Sequence, residues 1–237
     1  MKKFIVLDTE TAPTADSPKD GNPHAECMNV YDLGWIVTDK EGNVYERRSL
    51  IISDTFFNDR LMQSAYYADK RPIYLDGIGT REWEVVSLHT AYDLFCDTVK
   101  RYGVREVWAY NANFDKKALN RTIQDCSEGW RKWFFPFTVK ICDIWDFAGS
   151  TICDTNKYVK WCMENDHMSE KGNPSTSAET VYRYLTGTDF QEAHTALQDC
   201  EIELAILRAA LKRKQKKPTT CGQGWRKASK RAKALQA

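Results

Sequence analysis

No apolar stretch in the 237 residues approaches the roughly 18 needed to span a membrane as a helix. The Lys2-Lys3 pair at the start is followed by four apolar residues and then Asp8, too short a run for the core of a secretion signal. No Cys-x-x-Cys pair occurs among the eight cysteines, and neither they nor the four histidines have the spacing of a zinc site. Internal repeats and low-complexity segments are lacking before the C-terminal tail. These absences exclude a helical membrane protein, a zinc ribbon and a repeat array. The cysteines, several inside apolar patterns such as Val139-Lys140-Ile141-Cys142, read as buried free thiols in a reducing compartment, and the chain as soluble and cytoplasmic.

What is present is the composition of a packed globule. Hydrophobic residues make up 42% and charged residues 28%, with 8 Trp, 11 Tyr and 10 Phe, which excludes global disorder. The formal charge of +1 hides an asymmetry. From Arg208 onward there are 11 Lys or Arg and no acid, so the preceding 207 residues hold 23 cations against all 33 acids, a net of −10. An acidic body with a basic tail suits a polyanionic partner held through the tail; a solvated tail that aids solubility is the alternative.

Hydrophobic periodicity supplies a coarse order of elements. Phe4–Leu7 reads as a buried strand, and 30–39 and 44–52 as two strands joined by a turn at Lys40-Glu41-Gly42-Asn43. Residues 53–82 read as irregular. Leu88–Tyr102 has helical spacing and stops at Gly103; Val107–Ala109 is a short strand followed by a helix from near Asp115. A strand over Val139–Ile144, a helix over Thr176–Leu185 and a last helix from about Thr195 to Pro218 complete the body. The order β-β-β-α-β-α-β-α-α predicts one α/β domain with a central mixed sheet flanked by helices.

Three clusters carry chemistry. Asp8-Thr9-Glu10-Thr11 lies at the end of the first strand, where residues two apart face one side, so Asp8 and Glu10 aim at one point and Thr9 faces away. Paired carboxylates raise each other's pKa unless a cation neutralises them, and hard oxygen donors suit Mg²⁺ or Mn²⁺. A turn or a helix N-cap is the other reading of this tetrapeptide. Trp108-Ala109-Tyr110-Asn111-Ala112-Asn113-Phe114-Asp115 is again a strand end leading into a helix, where Asp115 is either a ligand or a cap. The third cluster is His194-Thr195-Ala196-Leu197-Gln198-Asp199. Five residues turn a helix by about 140°, so His194 sits ahead of the last helix and Asp199 inside it. Asp199 falls at the rim of the stripe formed by Leu197, Cys200, Leu204, Leu207 and Leu211.

In that order and spacing, Asp-x-Glu, Asn-x-x-Phe-Asp and His-x-x-x-x-Asp resemble the DEDDh branch of the DnaQ-like 3′→5′ exonucleases, on the ribonuclease H-like fold. The resemblance spans about residues 4–211 and is supported by Cys142-Asp143 and Ser177-Ala178-Glu179. Many relatives carry an acid directly before the last Asp, where this chain has Gln198. The resemblance implies an exonuclease domain over 1–211 and a basic extension over 212–237. It also implies that Asp8, Glu10, Asp115 and Asp199 hold two divalent cations, Mg²⁺ or Mn²⁺, while His194 acts as general base toward the attacking water. In the family the first Asp bridges both metals, the Glu and last Asp complete one site, and the middle Asp serves the other. The expected substrate is a single-stranded 3′ end, with DNA favoured over RNA and nucleoside 5′-monophosphates as product. A non-catalytic binding module and an endonuclease of the same fold are the other readings.

Thr9, Asn111 and Phe114 lie where the resemblance puts contacts to the terminal nucleotide. Phe114 and Trp35 are candidates to stack a base at about 1–3 kcal/mol each, with ordinary core packing as the alternative for both and for Tyr110, Phe134 and Phe135. In the tail, Lys212, Arg213, Lys214, Lys216 and Lys217 extend the last helix. Beyond Pro218, Gly222 and Gly224 predict a flexible arm carrying Arg226, Lys227, Lys230, Arg231 and Lys233 toward nucleic acid or a polymerase-like partner. A compact body without an attached polymerase fits a bacterial or phage origin.

Overall fold

The computed structural model describes residues 2–18, 20, 22, 24–65, 68–190, 194–213 and 224–236. Its centre is strand β1 (Lys3–Pro13), whose apolar run alternates between two cores: Phe4 and Val6 face one, Ile5 and Leu7 the other. Burial on both faces is why this segment is continuously hydrophobic rather than alternating. The strand does not stop at Leu7 as the apolar run suggests. It continues through the polar residues because β2 (Met28–Asp39) pairs with it along its whole length, from Lys3 opposite Asp39 to Pro13 opposite Met28.

Strand β3 (Val44–Ile52) returns antiparallel to β2 through the expected turn, where Asp39 accepts hydrogen bonds from the Gly42 and Asn43 amides at 2.9 and 3.0 Å. The sheet order is β4-β3-β2-β1-β5-β6, with β4 (Glu84–Val86), β5 (Glu106–Ala109) and β6 (Lys140–Asp143) each parallel to its neighbour. Only β2 runs against the rest. The carboxyl ends of β1, β5 and β6 therefore share one edge, the usual location of ligand sites in open α/β sheets.

Residues 53–82, expected to be irregular, hold three short helices, α1 (Ser53–Phe56), α2 (Asp59–Met62) and α3 (Arg71–Gly79). They close over a separate cluster of Tyr31, Ile51, Phe56, Met62, Tyr74 and Trp83. The two four-residue helices have no room to display a 3.6-residue period, and α3 carries Pro72, Gly77 and Gly79, which read as breakers, so the sequence pattern does not reveal them. Helix α4 (Leu88–Tyr102) is capped by the Ser87 hydroxyl and ends, as expected, at Gly103, whose φ of 63° is the left-handed conformation of a helix C-terminus. Helix α5 (Ala112–Cys126) begins three residues before Asp115. With α4 it covers the face bearing Ile5, Leu7, Leu33 and Trp35.

On the other face lie α6 (Ile144–Ala148), a wide π-type turn at Gly149–Cys153, α7 (Asn156–Glu164), α8 (Ala178–Thr186) and α9 (Ala196–Lys212). Ile144 belongs to α6 rather than to the strand before it, because the Asp143 carboxylate accepts from the Asp146 amide and caps the helix. Helix α9 ends at Lys212, and the expected extension through Lys214, Lys216 and Lys217 lies outside the described residues.

Where a flexible arm is expected, residues Gly224–Gln236 form helix α10, packed against α6, the π-type turn and α7 with Ala228 and Ala232 fully buried. Two alanines one turn apart make a flat stripe that the Gly-based reading overlooks. Arg231 anchors the helix by donating to Asp154 at 2.6 Å and Asn156 at 2.8 Å. Among the described residues no helix is long and apolar enough to cross a membrane, and the described cysteines are free.

Strand β2 and helix α9 touch through backbone. A Cβ on Gly34 would stand 2.5 Å from Ala196 C and Leu197 N, so only glycine fits. Replacement Gly34→Ala is expected to cost about 1–3 kcal/mol by overpacking. At Gly79, where an added Cβ meets nothing within 4 Å, the same change is expected to stabilise by about 0.5–1 kcal/mol. Urea denaturation of the two variants measures both effects.

Candidate active site

Alternation along β1 distributes the first cluster. Asp8 and Glu10 follow Phe4 and Val6 toward α9, while Thr9 follows Ile5 and Leu7 toward α5. There Thr9 donates its hydroxyl proton to Asp115 Oδ1 at 2.8 Å. A register shift between Glu10 and Thr11 marks a bulge, a device that re-aims side chains beside functional sites. Opposite Glu10 in the ladder stands Asp32, itself fully buried.

Asp115 occupies the first turn of α5, where helix N-termini favour negative charge, and is buried. The turn before it is held by Asn111 in the left-handed region (φ 62°), a conformation asparagine tolerates. Asn111 is exposed, and Phe114 is half-buried against the α4–α5 core. Asp199 lies in the first turn of α9. His194, also left-handed at φ 53°, precedes that helix with Nδ1 4.0 Å from Asp199 Oδ2. Oxygen and nitrogen ligand atoms of Glu10, His194 and Asp199 all fall within 4.8 Å of one another.

The five expected residues are thus brought to one edge, and the electrostatics record their closeness. Asp8 is raised well above the ordinary carboxylate range by burial, then by the charges of Glu203, Asp115, Asp199 and Glu10. Burial, Asp199 and Asp32 push Glu10 up to about 9, against a smaller lowering by Lys70. Asp115 reaches about 7 through burial, opposed by the Thr9 hydrogen bond. His194 moves the other way. Burial and the charge of Lys70 lower it, leaving a neutral imidazole at pH 7.

Glu203 is the acid that sequence reasoning missed. It is buried, and its Oε1 accepts from the Tyr110 amide at 3.2 Å. The available signal was its spacing: four residues after Asp199, it shares the same helix face. Lys70 likewise comes from the segment that has no readable period. The aromatic candidates resolve toward packing: Trp35 and Phe134 are fully buried, Phe135 is half-buried in the same core, and Tyr110 donates to the Thr176 carbonyl at 2.5 Å. Arg226, Lys227, Lys230, Arg231 and Lys233 all lie on α10, with Arg231 turned onto the body.

The fold, a mixed six-stranded sheet flanked by helices, is similar to that of solved exonuclease structures. The chain superimposes on E. coli exonuclease I in complex with a dT13 oligonucleotide at a TM-score of 0.54 and 15% identity, covering 90% of this chain and 42% of that one. It matches the nuclease domain of 3′hExo, a DEDDh family member bound to rAMP, at a TM-score of 0.59 and 13% identity, covering 92% and 96%. A zinc-bound form of the E. coli exonuclease I–single-stranded DNA complex gives a TM-score of 0.55 at 14% identity. The chain spans about two fifths of the length of exonuclease I. The sequence matches no family model and no curated protein.

The donor set fits hard divalent cations: carboxylate oxygens gathered with raised proton affinity, next to a neutral imidazole. Without a cation, Asp8, Glu10 and Asp115 bind protons more tightly folded than unfolded. Their contribution therefore favours the folded state in full below the ordinary carboxylate pKa of about 4 and is lost from there up to about 7 for Asp115 and about 9 for Glu10. Thermal unfolding in EDTA is expected to show this site-dependent loss across that interval, reduced in Glu10→Gln. Mg²⁺ or Mn²⁺ is expected to raise Tm most at its upper end, with release of protons on binding. An equal cation effect at both ends would contradict the assignment.

Proposed function

We propose that the chain is a DEDDh-type 3′→5′ exonuclease that hydrolyses the terminal phosphodiester of single-stranded DNA and releases nucleoside 5′-monophosphates. The observation that carries this reading is the meeting of Asp8, Glu10, Asp115 and Asp199, from three distant stretches of chain, beside a neutral His194. A sheet and helix arrangement shared with oligonucleotide-bound exonuclease I supports it.

Two Mg²⁺ or Mn²⁺ ions would be held by the carboxylates of Asp8, Glu10, Asp115 and Asp199. When bound, such ions lower the pKa of the attacking water and stabilise the departing 3′ oxygen. The chain's own residues do the rest. His194 accepts the proton of the water at its imidazole, which burial and Lys70 keep unprotonated at neutral pH. Thr9 holds Asp115 by its hydroxyl and keeps acceptor capacity toward a terminal sugar. The exposed Asn111 and the uncovered part of Phe114 line the approach of the last nucleotide.

Helix α10 contributes charge away from the reacting bond. With Arg231 paired to Asp154, Arg226, Lys227, Lys230 and Lys233 remain as the exposed cations that offset the acidic body toward a polyanion. RNA as substrate is the second reading, favoured by the match over nearly the whole of a nuclease domain bound to rAMP.

A denaturing-gel time course on 5′-labelled DNA and RNA strands with Mg²⁺ tests both readings. The expected result is a ladder shortening from the 3′ end of DNA, absent with EDTA and in Asp8→Asn, and at least about 10²-fold slower in His194→Ala. Faster shortening of RNA would transfer the assignment to an exoribonuclease. No cleavage would leave a nucleic-acid-binding module, and internal cuts an endonuclease. Replacing Arg226, Lys227, Lys230 and Lys233 by Ala is expected to flatten the salt dependence of single-strand binding by about 0.7 in log–log slope per lost phosphate contact. An unchanged slope would instead make α10 a docking helix for a protein such as a polymerase.

A further inference from the structure

Helix α9 begins without a cap of its own. Its N-cap residue, Thr195, makes no side-chain bond to the first turn, although exposed amides there normally require an acceptor. The acceptor comes from the sheet. Asp32, fully buried on β2, receives the Ala196 amide on Oδ2 at 2.9 Å and, on the same oxygen, the Tyr74 hydroxyl of α3 at 2.8 Å. The Tyr74 hydroxyl oxygen also lies 3.5 Å from the carbonyl oxygen of His194. Two residues along β2, Gly34 lets the strand backbone touch Ala196 and Leu197. Two elements, β2 and α3, therefore converge on the backbone from His194 to Leu197.

His194 needs such support. Its φ of 53° lies in the left-handed region that residues with a Cβ populate sparsely, and such a turn persists where the surroundings over-determine it. Asp32 is opposite Glu10 in the ladder, so the carboxylate that seats the His194 loop is carried by the strand that pairs with the Asp8–Glu10 segment. Tyr74 is locked in turn by its ring, edge-on to Tyr31 at 5.6 Å and against Trp83 at 5.0 Å. None of this belongs to the DEDDh pattern.

Building on the exonuclease reading, we propose that Asp32 and Tyr74 are positioning residues that hold His194 in place to take the proton from water, and that the α1–α3 segment exists in part to deliver Tyr74 to that task. Neither touches the reacting atoms; Tyr74 acts through the backbone of residues 194–196, and Asp32 does so in addition to its charge effect on Glu10, which the amide-exchange and imidazole readouts separate.

The test uses the full chain and Tyr74→Phe, which removes one hydroxyl and leaves the ring packed, alongside Asp32→Asn, which keeps the acceptor, and Asp32→Ala, which removes it. On 5′-labelled single strands with Mg²⁺, kcat is expected to fall about tenfold in Tyr74→Phe and further in Asp32→Ala, at nearly constant KM. Asp32→Asn should recover most of the loss. In a His194→Ala background, Tyr74→Phe should have no further effect. Hydrogen exchange of the Ala196 amide and the imidazole NMR signals of His194 give readouts independent of turnover. The amide should exchange about tenfold faster in Tyr74→Phe, with α4 amides unchanged, and the imidazole should broaden or split. Additive losses with His194→Ala, or an unperturbed amide and imidazole, would overturn the proposal. A wild-type chain that degrades neither DNA nor RNA would overturn the exonuclease reading instead, and the exchange and imidazole data would still decide whether Asp32 and Tyr74 hold the loop.

Discussion

Carboxylates buried side by side repel one another, and much of the protein is organised around enforcing that repulsion at the end of β1. Asp8 and Glu10 are held in line because β2 pairs with them opposite Gly34 and Asp32, while β5 pairs with the same strand just before them at Ile5 and Val6. Asp115 is fastened by Thr9, and Asp199 by the helix that packs on β2. Such a cluster raises proton affinity and stores electrostatic free energy that an incoming cation releases. The rigid sheet supplies the force, so the raised proton affinity of the cluster is a property of the fold as much as of the acids.

Much of the fold and most of the candidate site were legible in sequence, for definite reasons. Asp8 and Glu10 sit two apart after an apolar run, Asp115 follows a strand end, and the five-residue gap from His194 to Asp199 demands a turn before a helix. Each is a local pattern with a geometric consequence. The missing parts depend on contacts between distant segments. Glu203 is visible as a site acid only once α9 is known to present Asp199 inward. Lys70, Tyr74 and Asp32 come from stretches whose period is absent or whose burial on both faces conceals a charged residue among apolar ones. The α10 helix was hidden by glycines before it, because a Gly-rich approach and a helix with two buried alanines are compatible.

Segregation of charge follows the same logic. On the proposed reading, the acidic body sets negative charge at the place a polyanion has to reach, so attraction has to be local. Lys70 lowers the proton affinity of both Glu10 and His194. Helix α10 packs over α6 and α7 and carries exposed cations of its own.

The alternation of β1 has one more consequence. Neighbouring residues of a single strand serve opposite layers: Asp8 and Glu10 belong to the α9 side, Thr9 to the α5 side. An insertion or deletion of one residue between Phe4 and Leu7, if the strand kept its pairing upstream, would exchange the sides. Thr9 would then point at α9 and both acids into the apolar layer under α5. Evolution can lengthen the loops of such a protein freely, but this strand can change only by substitution, so its length before the first acid should be among the most invariant features in any set of descendants.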